Sequence, residues 1–350
     1  MKYTKNAITI LKINFNLRPI LIFSQSSIYI LKDNMKTIIL THADCDGICA
    51  GAIALSRFPK AEVFFTKPVS FMRDLSEIKA DIIIITDIAM TKTDGPHIVK
   101  ILGKKKAEVL YFDHHVIPDS INEKEIKKNV DVFVHDEKAS ASELIFKYYQ
   151  KEIPRERVWA ALYGAIGDYT ENTQFVSDRI KNWDRRAIYF EVSTIVLGIK
   201  REEFTSYDEK RKIVRVLANG DNPSDVDGLV MAAKKAVNDE FDLYDVIKKH
   251  VKVYGKIAYS KDVHFFGFRG QAALFSATAA NTAIGLCIYR RRNHLDITIR
   301  SRDKKMRLNK LIENAAESVG GSGGGHPQAA GARIPKKSLD KFLKNLNILC

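Results

Sequence analysis

Residues 81–86 read DIIIIT, and four isoleucines in succession leave a chain few ways to fold. A short run that is apolar on both faces suits a strand covered from both sides. Residues 37–41, 62–66, 108–112 and 132–134 read as further strands. Residues 48–58, rich in Ala and Gly, and residues 96–103 read as helices between them. Apolar strands alternating with helices predict an α/β fold: a parallel sheet with helices on both faces.

From about residue 140 to 250 the chain reads as mostly helical. The 3.6-residue period runs through 140–150, 155–169, 179–190 and 194–217, and NGDNPS at 219–224 is a turn signal. Strands return at 256–259, 264–268, 284–289 and 296–300, followed by a helix at 306–319 and a glycine loop at 320–331. The expected organisation is an extension at 1–34, a catalytic domain at 35–190, a helical connector at 191–252 and a smaller α/β domain at 253–350. Met35 opens the sequence MKTIILTHADCDG and is the cleaner start. Residues 1–34 are expected to be dispensable, or to precede the biological start.

No apolar run reaches the roughly 18 residues that span a bilayer. The nearest, 7–31, is broken by Lys12, Asn14, Asn16, Arg18 and Pro19 and lacks the signal-peptide pattern. Cys45, Cys49, Cys287 and Cys350 form no CxxC pair, so reduced thiols in a cytoplasmic protein are the simplest account.

The chemistry lies just past the strand ends. Residues 37–41 run into His42, Asp44 and Asp46; residues 81–86 into Asp87; residues 108–112 into Asp113, His114 and His115. In a parallel sheet all strand C-termini lie on one edge, where ligands bind. Taken singly, the Asp-x-Asp-Gly segment reads as a turn and Asp87 as a helix cap. Together, three strand ends delivering Asp and His to one rim read as a metal site. Carboxylates with imidazoles suit Mn²⁺, with Mg²⁺, Co²⁺ or Zn²⁺ as alternatives. A carboxylate such as Asp87 can bridge two ions, and such a pair activates water for attack on a phosphate. Asp168, in GAIGDYT at a helix end, is a further carboxylate, and Gly164, Ala165 and Gly167 let that helix approach closely.

The chain carries a net charge of +14, which favours a polyanionic partner. Residues 290–310 concentrate nine Lys and Arg against two Asp, and Arg300 ends a predicted strand there. GGSGGGHPQAAG at 320–331 resembles a phosphate-cradling loop, with His326 as a donor. Phe265, Phe266 and Phe268 beside Arg269 offer either base stacking or core packing, the latter being the commoner use.

In order and spacing these residues resemble the DHH phosphoesterase family with its C-terminal DHHA1 domain. The match runs through His42-x-Asp44-x-Asp46-Gly47, Asp87, Asp113-His114-His115, Asp168 and Gly323-Gly324-Gly325-His326. Within the family the chain looks most like short archaeal RecJ-like proteins and nanoRNase-type enzymes. The resemblance implies one metal held by His42, Asp44 and Asp87, and a second held by Asp46, Asp87, His114 and Asp168. It implies that Asp113 and His115 orient ligands or touch the scissile phosphate. Arg300, Gly323, Gly324, Gly325 and His326 would then hold the substrate's far phosphate or sugar.

The leading functional expectation is a metal-dependent exonuclease acting on single-stranded RNA or DNA or on short oligonucleotides. A phosphatase or phosphodiesterase of small nucleotides, such as 3'-phosphoadenosine 5'-phosphate or a cyclic dinucleotide, is the alternative. A non-catalytic replication scaffold is a third, weakened because every aligned ligand position is filled. Replication or repair proteins are further candidate partners.

Overall fold

Strand β3 (Ile82–Thr86) is the centre of a five-stranded sheet ordered β2-β1-β3-β4-β5, and every pairing in it is parallel. This computed structural model describes residues 35–265, 267–303, 305–325 and 329–349. The proposed extension at 1–34, together with Phe266 and His326, lies outside the described residues. The other strands are β1 (Thr37–Thr41), β2 (Glu62–Phe65), β4 (Glu108–Asp113) and β5 (Val132–His135). Ile82 and Ile84 pack into the core on one face, with Ile39, Leu110 and Phe112. Ile83 and Ile85 pack into the other, with Leu40, Val109 and Tyr111. All four isoleucines are fully buried, and each side chain so buried contributes about 1.5–3 kcal/mol relative to exposure.

Helices cover both faces. On the first face lie α1 (Cys45–Arg57), α5 (Ala141–Tyr149), α6 (Val158–Gly167), α8 (Arg185–Gly198) and α9 (Tyr207–Asn219). On the second lie α2 (Phe71–Glu77), α3 (Gly95–Leu102) and α4 (Glu123–Asn129). Helices α7 (Gln174–Ile180) and α10 (Leu229–His250) complete the helical stretch. The single helices expected at 179–190 and 194–217 are broken differently. The Asp184 side chain accepts from Arg186 N and starts α8, and the Ser206 side chain accepts from Glu209 N and starts α9. Each cap satisfies amide donors that a continuous helix would have used internally.

A second sheet comes next, ordered β10-β11-β9-β8-β7-β6. Its strands are β6 (Lys252–Tyr254), β7 (Ile257–Lys261), β8 (Ile284–Arg290), β9 (His294–Ser301), β10 (Ser322–Gly325) and β11 (Ala329–Pro335). Strands β7 and β8 pair in parallel, joined through α11 (Arg269–Ala279), while α12 (Leu308–Glu317) and α13 (Leu339–Leu349) pack into the same core. The strand expected at 264–268 does not form. Gly267 turns the chain at φ +77°, and Phe268 is buried against α10 and α11. Phe265 and Phe268 therefore serve core packing. Within the glycine segment, Ser322–Gly325 is a strand, pairing antiparallel with β11 as the sheet's edge. Among the described residues no helix is long and apolar enough to cross a membrane.

Candidate active site

The parallel strands bring their C-terminal ends to one rim, and local chemistry there aims the side chains inward. After β1, the Asp44 carboxylate caps α1 by accepting from Gly47 N at 3.0 Å. A Cβ on Gly47 would stand 2.3 Å from the His42 carbonyl oxygen, so only glycine lets the loop close this tightly. At the end of β3, Asp87 has φ +57°, an uncommon conformation for a residue with a side chain, held by its N–H donating to Phe112 O at 3.0 Å. Helix α6 comes close through Gly164, where an added Cβ would lie 2.6 Å from Asp46 Oδ1. That approach sets Asp168, the C-cap of α6, beside the rim.

These elements gather the side chains into one cluster. His42 Nδ1 lies 2.7 Å from Asp44 Oδ2 and 3.7 Å from Asp87 Oδ2. His114 Nε2 lies 3.3 Å from Asp87 Oδ1, 3.4 Å from Asp168 Oδ2 and 4.0 Å from Asp46 Oδ2. Ligand-capable atoms of His42, Asp44 and Asp87 fall within 4.8 Å of one another, as do those of Asp87, His114 and His115. Asp87 belongs to both groups. His115, which the family resemblance implies orients ligands or touches the scissile phosphate, stands 4.0 Å from Asp87 and 2.8 Å from the Asp113 carboxylate. Asp46 is held from behind: its two oxygens accept from Ala141 N at 2.7 Å and Ser142 N at 3.0 Å, at the start of α5. A helix N-terminus favours negative charge at that point.

The cluster is electrostatically loaded. Burial, then the neighbouring charges of Asp44 and Asp46, pushes the Asp87 carboxyl well above the usual range. Burial raises Asp46 too, and with Asp46 and Asp44 it pushes Asp168 up to about 7. Burial opposes charge on His115, but Asp113 outweighs it and pushes its pKa up to about 9. Burial lowers His114. Asp87 Oδ2 is buried without a hydrogen-bond partner. Crowded carboxylates, with one oxygen unsatisfied beside imidazole nitrogens, form a donor set that suits divalent cations.

The expected substrate-side residues collect at one end of the second sheet. Arg300 pairs with Ala329 in β11, and Ala330 pairs with Gly325 of β10, so Arg300 and Gly323–Gly325 share that end. Gly324 faces open space. The basic stretch at 290–310 is spread over both ends of the β8–β9 pair. Arg290 pairs opposite Leu295 and Arg300 opposite Gly285, at opposite ends of the β8–β9 pair, roughly 17 Å apart at 3.3–3.4 Å per residue. Arg290 is turned to Asp262 at 3.1 Å and Arg291 to Asp296 at 3.0 Å.

Two contributors escaped the sequence reading. Lys210 of α9 donates to Ala43 O at 2.7 Å, inside the His42–Asp44 loop, and nothing in its own segment announces that. The start of α5 had a signal in Ser140 and Glu143, a Ser-x-x-Glu cap pattern.

Family models match at two places: the DHH family N-terminal domain over residues 36–166 and the DHHA1 domain over residues 256–350. This chain belongs to the DHH/DHHA1 phosphoesterase family. Solved structures share the fold of this DHH chain at low identity. A DHH domain of a member of the s1p family of ribosomal proteins is 16% identical, covering 89% of this chain and 85% of that one, with a TM-score of 0.68. RecJ in complex with Mn²⁺ from Thermus thermophilus is 16% identical over 93% of this chain and 53% of its own, with a TM-score of 0.65. The DHH chain thus spans about half of that RecJ. A pGpG-specific phosphodiesterase from Vibrio cholerae is 15% identical over 89% and 99%, with a TM-score of 0.54. No curated protein sequence matches significantly.

Proposed function

We propose that this chain is a metal-dependent phosphodiesterase that hydrolyses short single-stranded oligonucleotides. The observation that carries the reading is the rim cluster, with Asp87 common to both ligand groups and its Oδ2 without a partner. His42, Asp44 and Asp87 would hold one divalent cation; Asp46, Asp87, His114 and Asp168 would hold the other. Bound there, such a pair supplies an activated water and positive charge against the phosphate. The protein's own groups do the positioning. Asp113 orients His115 through the 2.8 Å hydrogen bond, and His115 so held would orient the ligands or touch the scissile phosphate. Arg300 and the glycine edge strand would take the next phosphate or sugar. Mn²⁺ is the expected ion.

Short substrates fit better than long ones because the basic stretch divides between two ends of the second sheet. The likeness to a phosphodiesterase specific for pGpG, covering nearly all of that chain, points the same way. The test is purified protein with Mn²⁺ on end-labelled RNA and DNA from two to twenty nucleotides, alongside 3'-phosphoadenosine 5'-phosphate. Turnover falling with length supports the reading. Turnover of the small nucleotide alone, or of none, overturns it.

A further inference from the structure

Tyr169 comes directly after Asp168, and three observations about it have no structural explanation. First, it is 90% exposed, the most exposed large apolar side chain among the described residues. Second, it sits at φ +58°. The end of α6 is a Schellman turn: Tyr169 N donates to Ile166 O at 3.2 Å and Thr170 N to Ala165 O at 2.9 Å. The left-handed position in that turn ordinarily belongs to glycine, and a branched or bulky residue is strained there. A tyrosine that gains almost no packing offsets none of that strain. Third, its position is specific. Its neighbour Asp168 stands 3.4 Å from His114, and Tyr169 itself lies within electrostatic reach of Arg300 on the second sheet. Tyr169 is thus joined in the chain to a carboxylate of the cluster and lies within reach of the arginine expected to hold a phosphate.

We infer that Tyr169 is the platform on which a nucleobase of the substrate stacks, next to the phosphate held at the cluster. The inference rests on the phosphodiesterase reading and adds to it a recognition element for the base. An aromatic face accepts any base, so the platform gives affinity for nucleotides without sequence preference. The left-handed turn is what lifts the ring off the helix end and into solvent, where a base can reach it. The same contact would keep a base-free phosphodiester bound weakly. Local strain retained at a binding position is a known trade of stability for function.

That trade supplies the test. Tyr169→Gly restores the residue the turn favours, so its melting temperature should rise. Its KM for a dinucleotide should also rise about tenfold or more, with kcat within about twofold. An abasic dinucleotide of equal charge should show wild-type KM. Tyr169→Trp should keep tight binding of the base-bearing substrate. A 2-aminopurine dinucleotide titrated into protein held in EDTA gives a readout independent of turnover: quenching on wild type and Tyr169→Trp, and loss of it on Tyr169→Gly. Equal losses on abasic and base-bearing substrates, or unchanged KM and quenching, would overturn the inference. If the wild type hydrolyses nothing, the phosphodiesterase reading fails, while the quenching still decides whether Tyr169 binds a base.

Discussion

Lys210 Nζ donates to the main-chain carbonyl of Ala43 at 2.7 Å, bridging 167 residues to the loop that carries His42 and Asp44. A buried carbonyl that loses such a donor is left to find water or stay unpaired. Lys210→Met is therefore expected to cost about 1.5–3 kcal/mol, the usual worth of a hydrogen bond to a charged group. It should also lower kcat more than it changes KM, because the loop positions the cluster and does not touch the outer substrate. Urea melts and steady-state kinetics check both. A wild-type melt would show that the contact is incidental.

Asp87 combines a left-handed backbone, a carboxyl raised by burial and like charge, and an oxygen without a partner. Asp87→Asn removes the charge while keeping a residue type that tolerates that backbone. In EDTA the variant should melt higher than wild type. With Mn²⁺ it should lose at least about a thousandfold in turnover, since a ligand shared by two ions serves several kcal/mol of transition-state stabilisation. A variant that melts lower in EDTA, or retains a tenth of the rate, contradicts the shared-ligand assignment.

The metal-free protein should also lose stability as pH rises. Asp168 titrates near 7 in the fold, against about 3.9 for a free Asp. Between these values the folded state holds a proton that the unfolded chain releases, so stability falls with pH across that window. Asp87, raised in the same direction, adds to the slope. The melting temperature in EDTA should drop from pH 4.5 to pH 7, and Asp168→Asn should flatten the decline. Mn²⁺ at pH 7 should recover the loss through preferential binding to the folded state. A melting temperature that climbs over the same range would contradict the crowding argument.

The two ends of the β8–β9 pair predict different roles for their arginines. Arg300→Ala should reduce the salt dependence of binding for a six-nucleotide strand, by about 0.7 in the slope of log affinity against log salt for one lost phosphate contact. Neutralising Arg290, Arg291 and Arg292 together should leave that slope unchanged, because Arg290 and Arg291 face Asp262 and Asp296. Salt titrations of the two variants side by side decide it. A flattened slope in the triple variant would place the strand on the opposite end of the sheet.

Much of the first sheet was legible because its information is local. Four isoleucines can be buried on alternating faces only in a strand, and the polar residue after each run falls on the same rim by strand direction alone. The clustering of His42, Asp44, Asp87 and His114 follows from those two facts. The second half was harder. The Phe265–Phe268 region reads as a strand until Gly267 turns it and α10 supplies a helical surface for Phe268. The breaks before α8 and α9 were written in Asp184 and Ser206, but periodicity outvoted them. Lys210 and Tyr169 were invisible because their meaning depends on which distant segment lies opposite.

Asp46 is steadied by the peptide N–H groups of residues 141 and 142, with the Ser142 side chain adding a further hydrogen bond. Peptide groups are the one part of a chain that mutation cannot edit, short of introducing proline. Two of the contacts that anchor this carboxylate are thus written in the path of the backbone. A change at residue 141 that keeps this path keeps both amides on the carboxylate, whereas residue 142 is also tied down by its buried hydroxyl, which donates to Ala161 O at 3.2 Å.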